Sequence, residues 1–205
     1  MGKVKIKKQS VWIDMTPMSD VMVLLLTFFM LTSTFVKNEA VKVVTPGSVS
    51  EIKVPETNVM TVLVDNSGKI FLGMDTPQKM SDLLSGMASQ YGVSLTKNQL
   101  EVGRSATNIG VSMEDLSQFL SMDETQLNAF QQTRGIPTDS VKGGMSEFQT
   151  WVQTARDNNG ADMKLAIKAD EKTPYKVIKK VMSELQDMNE NRYYLITSYK
   201  QTQED

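Results

Sequence analysis

The sequence contains no cysteine and no histidine in 205 residues. The first absence excludes disulfides, thiolate metal sites and cysteine nucleophiles. The second excludes serine–histidine triads and removes the side chain that most often changes charge near neutral pH. Proton chemistry therefore falls to Asp, Glu, Lys or Tyr. Nor is there an excess of charge of one sign. The 22 Lys and Arg stand against 24 Asp and Glu, a net charge of −2, which excludes a surface built throughout for nucleic acid. The length allows one to two domains with a real core. A mean hydropathy of −0.27 is that of a polar chain, and it conceals one local exception.

Charge and hydropathy are both segregated. Residues 1–12 carry Lys3, Lys5, Lys7 and Lys8 and no acid, whereas the remainder holds 18 basic and 24 acidic residues. Directly after this basic tail comes an apolar run, VMVLLLTFFMLTSTFV, from Val21 to Val36. From Pro17 to Val36 a helix would reach about 30 Å, the thickness of a bilayer's hydrocarbon. Thr16 and Pro17 suit its cap and first turn. A cleavable signal peptide shares the basic and apolar regions, but the exit STFVKNEA offers no small-residue cleavage site, and Asp20 sits where such a region is cleanest. The reading is one uncleaved transmembrane helix over residues 13–36. The lysines place its N-terminus in the cytoplasm and residues 37–205 on the far side.

Asp20 is costly there, about 2.5–3.5 kcal/mol at a helix centre. Two explanations compete. It is solvated at the interface beside the helix N-terminus, or it faces a protein-lined cavity and exchanges a proton. Thr27 and Thr34 follow Asp20 at spacings of seven, so all three lie within about 40° of one another on one face, and Thr16 lies a turn before. A polar stripe on a lone helix would face lipid, so this face calls for a second copy or another membrane protein.

Thr16, Pro17 and Asp20, followed by an aliphatic run and preceded by a short basic tail, resemble the membrane helix of the ExbD/TolR family, with its T-P-x-x-D motif. Asp14 stands where many members carry Asn, and Ser19 replaces a common aliphatic residue. The resemblance implies the minor subunit of a proton-driven inner-membrane motor. It implies a homodimer inside a pentameric ring of a multi-span ExbB-like protein, with Asp20 as the proton-carrying carboxylate. Thr16, Thr27 and Thr34 would then line the pore-facing side of the helix.

Residues 37–58 read as a linker, with Pro46, Gly47 and Pro55 and no helical period. Within it the segment from Val41 through Val43 and Thr45 to Pro46 is either a solvated tether or a short edge strand that adds to a partner's sheet. The family's linker carries a similar aliphatic segment ending in Leu-Pro that docks a TonB-like periplasmic transducer. Here Thr45 replaces that Leu.

Residues 59–205 read as a domain. Val59–Val64 and Lys69–Met74 flank the turn Asp65-Asn66-Ser67-Gly68 and predict a hairpin. Helices are expected over 77–91 and over 146–157, the second capped by Ser146 with Phe148, Trp151, Val152 and Ala155 on one face. Residues 163–169 alternate as a strand. Thr173 and Pro174 then open a helix as cap and first residue, with Tyr175 packed, and a last strand runs over 193–197. The segment from Ile167 to Tyr175 resembles the family's strand leading into A-D-x-x-x-P-Y. Asp170 is read as a turn residue. Residues 92–145 read as a helical insertion, either an elaboration of the fold or a docking surface for a partner or the cell wall, with helix starts at Ser112 and Asp123.

The expected fold is therefore a single transmembrane α-helix plus a small α+β periplasmic domain: a hairpin, then helix-strand-helix-strand, with the helical insertion. No set of residues has acid, base and oxyanion geometry, so no enzyme, cofactor or metal is expected. The leading function is an ExbD-type subunit that energises TonB-dependent outer-membrane transport. The alternatives are a TolR-type subunit for envelope integrity and a passive membrane-anchored adaptor.

Overall fold

The computed structural model describes residues 16–33, 41, 43–48, 55, 57–139 and 144–199. The chain forms two compact units, residues 1–37 and residues 38–205.

The first unit is built on helix α1 (Thr16–Thr32), 17 residues whose side chains are all exposed. Pro17 sits in the first turn, where a missing N–H costs nothing. At 1.5 Å per residue the helix is about 25 Å long. Residues 13–15 and 34–36 of the expected span lie outside the described residues. Among the described residues no helix is long and apolar enough to cross a membrane.

The second unit mixes helices with a four-stranded sheet. Strands β2 (Val59–Val64) and β3 (Ile70–Met74) pair antiparallel, with Leu63 opposite Phe71. Their turn is organised by Asp65, whose Oδ1 accepts from the amides of Ser67 (2.9 Å) and Lys69 (2.8 Å). Gly68 takes the left-handed conformation (φ 83°) that this turn requires. Strand β4 (Lys164–Ala169) pairs parallel with β2, and β5 (Tyr193–Ile196) pairs parallel with β4, giving the order β3-β2-β4-β5. Parallel neighbours need long crossovers. One holds α2 (Pro77–Tyr91), α3 (Lys97–Ser105), α4 (Met113–Phe119), α5 (Glu124–Thr133) and α6 (Glu147–Asn159). The other holds α7 (Tyr175–Asp187). Because β4 is internal, Leu165, Ala166 and Ile167 are all buried, where the sequence pattern predicts alternation. A separate two-residue pair joins β1 (Gly47–Ser48) parallel to β6 (Ser198–Tyr199).

Local sequence explains the helix ends. Thr76 caps α2 with Pro77 at its first position, and Gly92 ends it at φ 66°. Ser146 and Gln149 form a reciprocal capping box on α6. The inward faces of α2 (Met80, Leu83, Leu84, Met87), α6 (Phe148, Trp151, Val152, Ala155) and α7 (Val181, Leu185) close over Met60, Val62 and Val64. Each Val, Leu, Met or Phe side chain among them contributes about 1.5–3 kcal/mol on burial.

The stretch between α2 and α6 is part of this core. Met113, Leu116, Phe119, Leu120 and Leu127 belong to the same apolar cluster as the sheet. It also covers the outer edge of β3: Ile109 exchanges two backbone hydrogen bonds with Leu72 (both 2.8 Å), and Ile136 N–H donates to Ile70 O at 3.0 Å. An open edge is a template for unwanted pairing, and this one is occupied.

The start of α7 differs from expectation. Pro174 occupies the cap and the helix begins at Tyr175. The Thr173 hydroxyl donates instead to Asp65 O at 2.9 Å, tying the hairpin turn to the start of α7. Tyr175, expected to pack, is 73% exposed.

Candidate functional site

The candidate residues fall in two places. On α1, Asp20 is the one ionisable residue among apolar, Ser and Thr neighbours. Thr16 lies one turn before it and Thr27 two turns after, so the three share a side of the helix. Thr27 is already engaged: its hydroxyl donates to Leu24 O at 2.9 Å. Thr32, which the pattern did not single out, does the same to Phe28 O at 2.8 Å. These bonds satisfy the hydroxyls within the helix and leave each oxygen able to accept. Thr34 lies outside the described residues. Asp20 is exposed and is the one carboxylate on this face.

Around α1 the apolar surface is uncovered. Met22, Leu24, Leu26, Phe28, Met30 and Leu31 are among the largest exposed apolar side chains of the chain. A continuous exposed surface of this kind marks a contact with lipid or protein. Phe28 and Phe29 pack edge to face with centroids 5.9 Å apart.

The second place is the segment after α1. Val41 is buried at 8% exposure against Leu63 and Phe71, with Val43 packed beside it. Leu63 and Phe71 point to the sheet face opposite the helices, since Val62, Val64, Ile70 and Leu72 fill the helix-facing cluster. The segment thus gives the sheet a cover on its second face. Its backbone is held as well. Val44 N–H donates to Asp170 Oδ2 at 2.9 Å, and Val44 O accepts from Glu171 N–H at 2.8 Å. Thr45 and Pro46 are half-buried, and Gly47 and Ser48 pair with Ser198 and Tyr199. The segment read as tether or partner-added strand is a strap bound to its own domain.

Asp170 is the anchor. Its Oδ1 accepts from Lys172 N–H at 3.0 Å and closes the turn after β4, while Oδ2 holds the strap. The amides of Lys172 and then Val44 favour the charged form and hold its carboxyl below the ordinary 3.8. The sequence pattern identifies the turn. It carries no signal for the strap, because the bond spans 126 residues.

Among the described residues no group of three or more acids could hold a metal ion.

The arrangement is that of an apolar helix with one acid, followed by a strap and a mixed α and β domain. The chain belongs to the ExbD/TolR family: the family model described as biopolymer transport protein ExbD/TolR matches residues 7–200. The match runs through the helices between α2 and α6. Membership makes this chain an accessory subunit of biopolymer transport with partners in a membrane complex. No curated protein and no solved structure matches the chain.

Proposed function

We propose that the chain is an ExbD-type subunit of an inner-membrane motor driven by the proton-motive force, in which Asp20 carries the proton. The observation that supports this most is the placing of one carboxylate on an otherwise apolar and fully exposed helix. On this reading α1 is the described part of a membrane span over residues 13–36, with the basic tail in the cytoplasm.

A carboxylate kept at this cost needs a task and a partner. An ExbB-like ring around a homodimer would cover the apolar side chains of α1 and supply the cavity that Asp20 faces. In a dry bundle the neutral acid is favoured, and beside water or a donor the anion is favoured, so the charge follows the surroundings. Each charge crossing the membrane potential releases about 2.3 kcal/mol per 100 mV. Thr16 and Thr27 would border the path as acceptors, as would Thr34.

Energy would leave through the far domain to a TonB-like transducer, which energises outer-membrane transport. Val41, Val43, Thr45 and Pro46 are the proposed contact. Since the strap already pairs through β1 and packs on Leu63 and Phe71, the transducer meets a strand that this chain presents in ordered form.

The test is Asp20→Asn in a strain lacking the native subunit. The substitution keeps size and polarity but cannot cycle a proton. Loss of energy-dependent uptake, with normal membrane levels of the protein, is expected. Full uptake would overturn the proposal.

A further inference from the structure

A groove of about 580 Å³ opens between the end of α2, the start of α4 and the start of α6. That is within the range of sites that take a ligand group, about 300–1,000 Å³. Tyr91, Val93, Met113 and Met145 give it an apolar wall, and Glu114 and Glu147 stand at it as acids. Tyr91 and Met145 keep 45% and 51% of their surface exposed.

Glu147 is held in an unusual way. Its Oε1 caps α4 by accepting from Met113 N–H at 2.9 Å, and it also receives Trp151 Nε1 at 3.4 Å. Oε2 has no hydrogen-bond partner among the described residues. Half-burial raises the Glu147 pKa above 4.5, and the nearby charges of Glu114 and Asp115 raise it further. Trp151 and Met113 oppose this through their hydrogen bonds. Among the described residues, two cations of this region are already paired. Arg134 pairs with Asp115 at 2.6 Å, and Lys180 pairs with the groove residue Asp139 at 2.5 Å. Glu114 makes no ion pair among the described residues.

We propose that this groove is a docking site for an Arg or Lys side chain of a partner polypeptide. The aliphatic stem would lie along Met113 and Met145. The cationic head would sit between Glu147 Oε2 and Glu114, with the Tyr91 ring as a further attraction. Charge complementarity selects this occupant. An anionic side chain would add to a group of carboxylates, and an uncharged apolar one would leave Glu147 Oε2 desolvated without a partner. The site is independent of Asp20 and of the strap, so it stands or falls apart from the motor reading.

The test uses the full chain in detergent micelles with isotope-labelled methionine methyls. The probe is an acetylated, amidated Ala-Leu-Arg-Leu-Ala peptide, and the control carries Glu in place of Arg. Saturable shifts of the Met113 and Met145 methyls with the Arg peptide alone are expected. Affinity should fall at least tenfold in the Glu114→Gln/Glu147→Gln variant. Glu114→Gln alone, an exposed change in the first turn of α4 that leaves the Glu147 bond to Met113 N–H in place, should weaken binding several-fold with Met113 unshifted in the free protein. Equal shifts with the Glu peptide, unchanged affinity in the double variant, or no shift at millimolar probe would overturn the proposal.

Discussion

The backbone N–H of Val44 donates to the side chain of Asp170 at 2.9 Å across 126 residues of sequence. This bond joins the strap after α1 to the turn between β4 and α7. Asp170→Asn replaces one of two acceptors by a donor, so either the turn bond or the strap bond is lost. Hydrogen exchange at the amides of Val44 and Glu171 should quicken, while Met60 and Leu165 in the sheet centre keep their protection. Unchanged exchange at Val44 would show that the strap is held without Asp170.

The same bond predicts a pH dependence. The Asp170 carboxyl is held below its ordinary 3.8 by the amides of Lys172 and Val44. For an acid with a depressed folded-state pKa, the stabilisation is complete above the unfolded value. It is lost as pH falls through the lower folded value. Protection of Val44 should therefore be flat from neutral pH down to about 4 and fall below it.

Glu147 runs in the opposite sense. Desolvation raises its pKa above 4.5, so the folded state binds its proton more tightly than the unfolded chain does. Its contribution to stability should weaken as pH rises from 4.5 through the raised value. Glu147→Gln keeps an acceptor for Met113 N–H and removes the desolvated charge, so urea unfolding at neutral pH should show equal or greater stability. Glu147→Ala removes the α4 cap and should cost about 1 kcal/mol.

Gly110 is fixed by a close approach. A Cβ there would overlap the ring of Phe71, the residue that lies beside Leu63 under the strap. Gly110→Ala should cost about 1–3 kcal/mol, because the fully buried ring must shift to admit it. Gly92→Ala makes a useful comparison. A Cβ at Gly92 meets nothing, and only its positive φ resists substitution. A smaller loss is expected there, read from the shift in urea midpoint.

What could be read from the sequence was what is local. The Asp65–Gly68 turn and the helix expected over 77–91 each depend on residues within a few positions of one another. So does the Ser146 and Gln149 capping box, and α6 buries the four residues that its spacing marks. What the sequence did not carry lies where a distant group takes over. Ser112 occupies the cap position of α4, but its side chain makes no cap bond and Glu147 supplies it from α6. Thr173 gives its hydroxyl to Asp65, which leaves Pro174 as the cap. Val41 has the pattern of a linker valine until Leu63 and Phe71, on the sheet face away from the helices, supply a surface for it. For the candidate site, Asp20 is legible because an acid in an apolar run needs no tertiary context to stand out. Its surroundings are not legible, since on the proposed reading they belong to other chains.

The most direct measurement of the central claim is proton flux. The chain is reconstituted with the proposed multi-span partner in proteoliposomes under a potential and an imposed pH gradient, and the internal pH is followed. Flux is expected with the native chain and with Asp20→Glu, which keeps an ionisable carboxyl. With Asp20→Asn it should drop to the level of vesicles holding the partner alone. Undiminished flux through Asp20→Asn complexes of normal composition would contradict the assignment of Asp20 as the proton carrier.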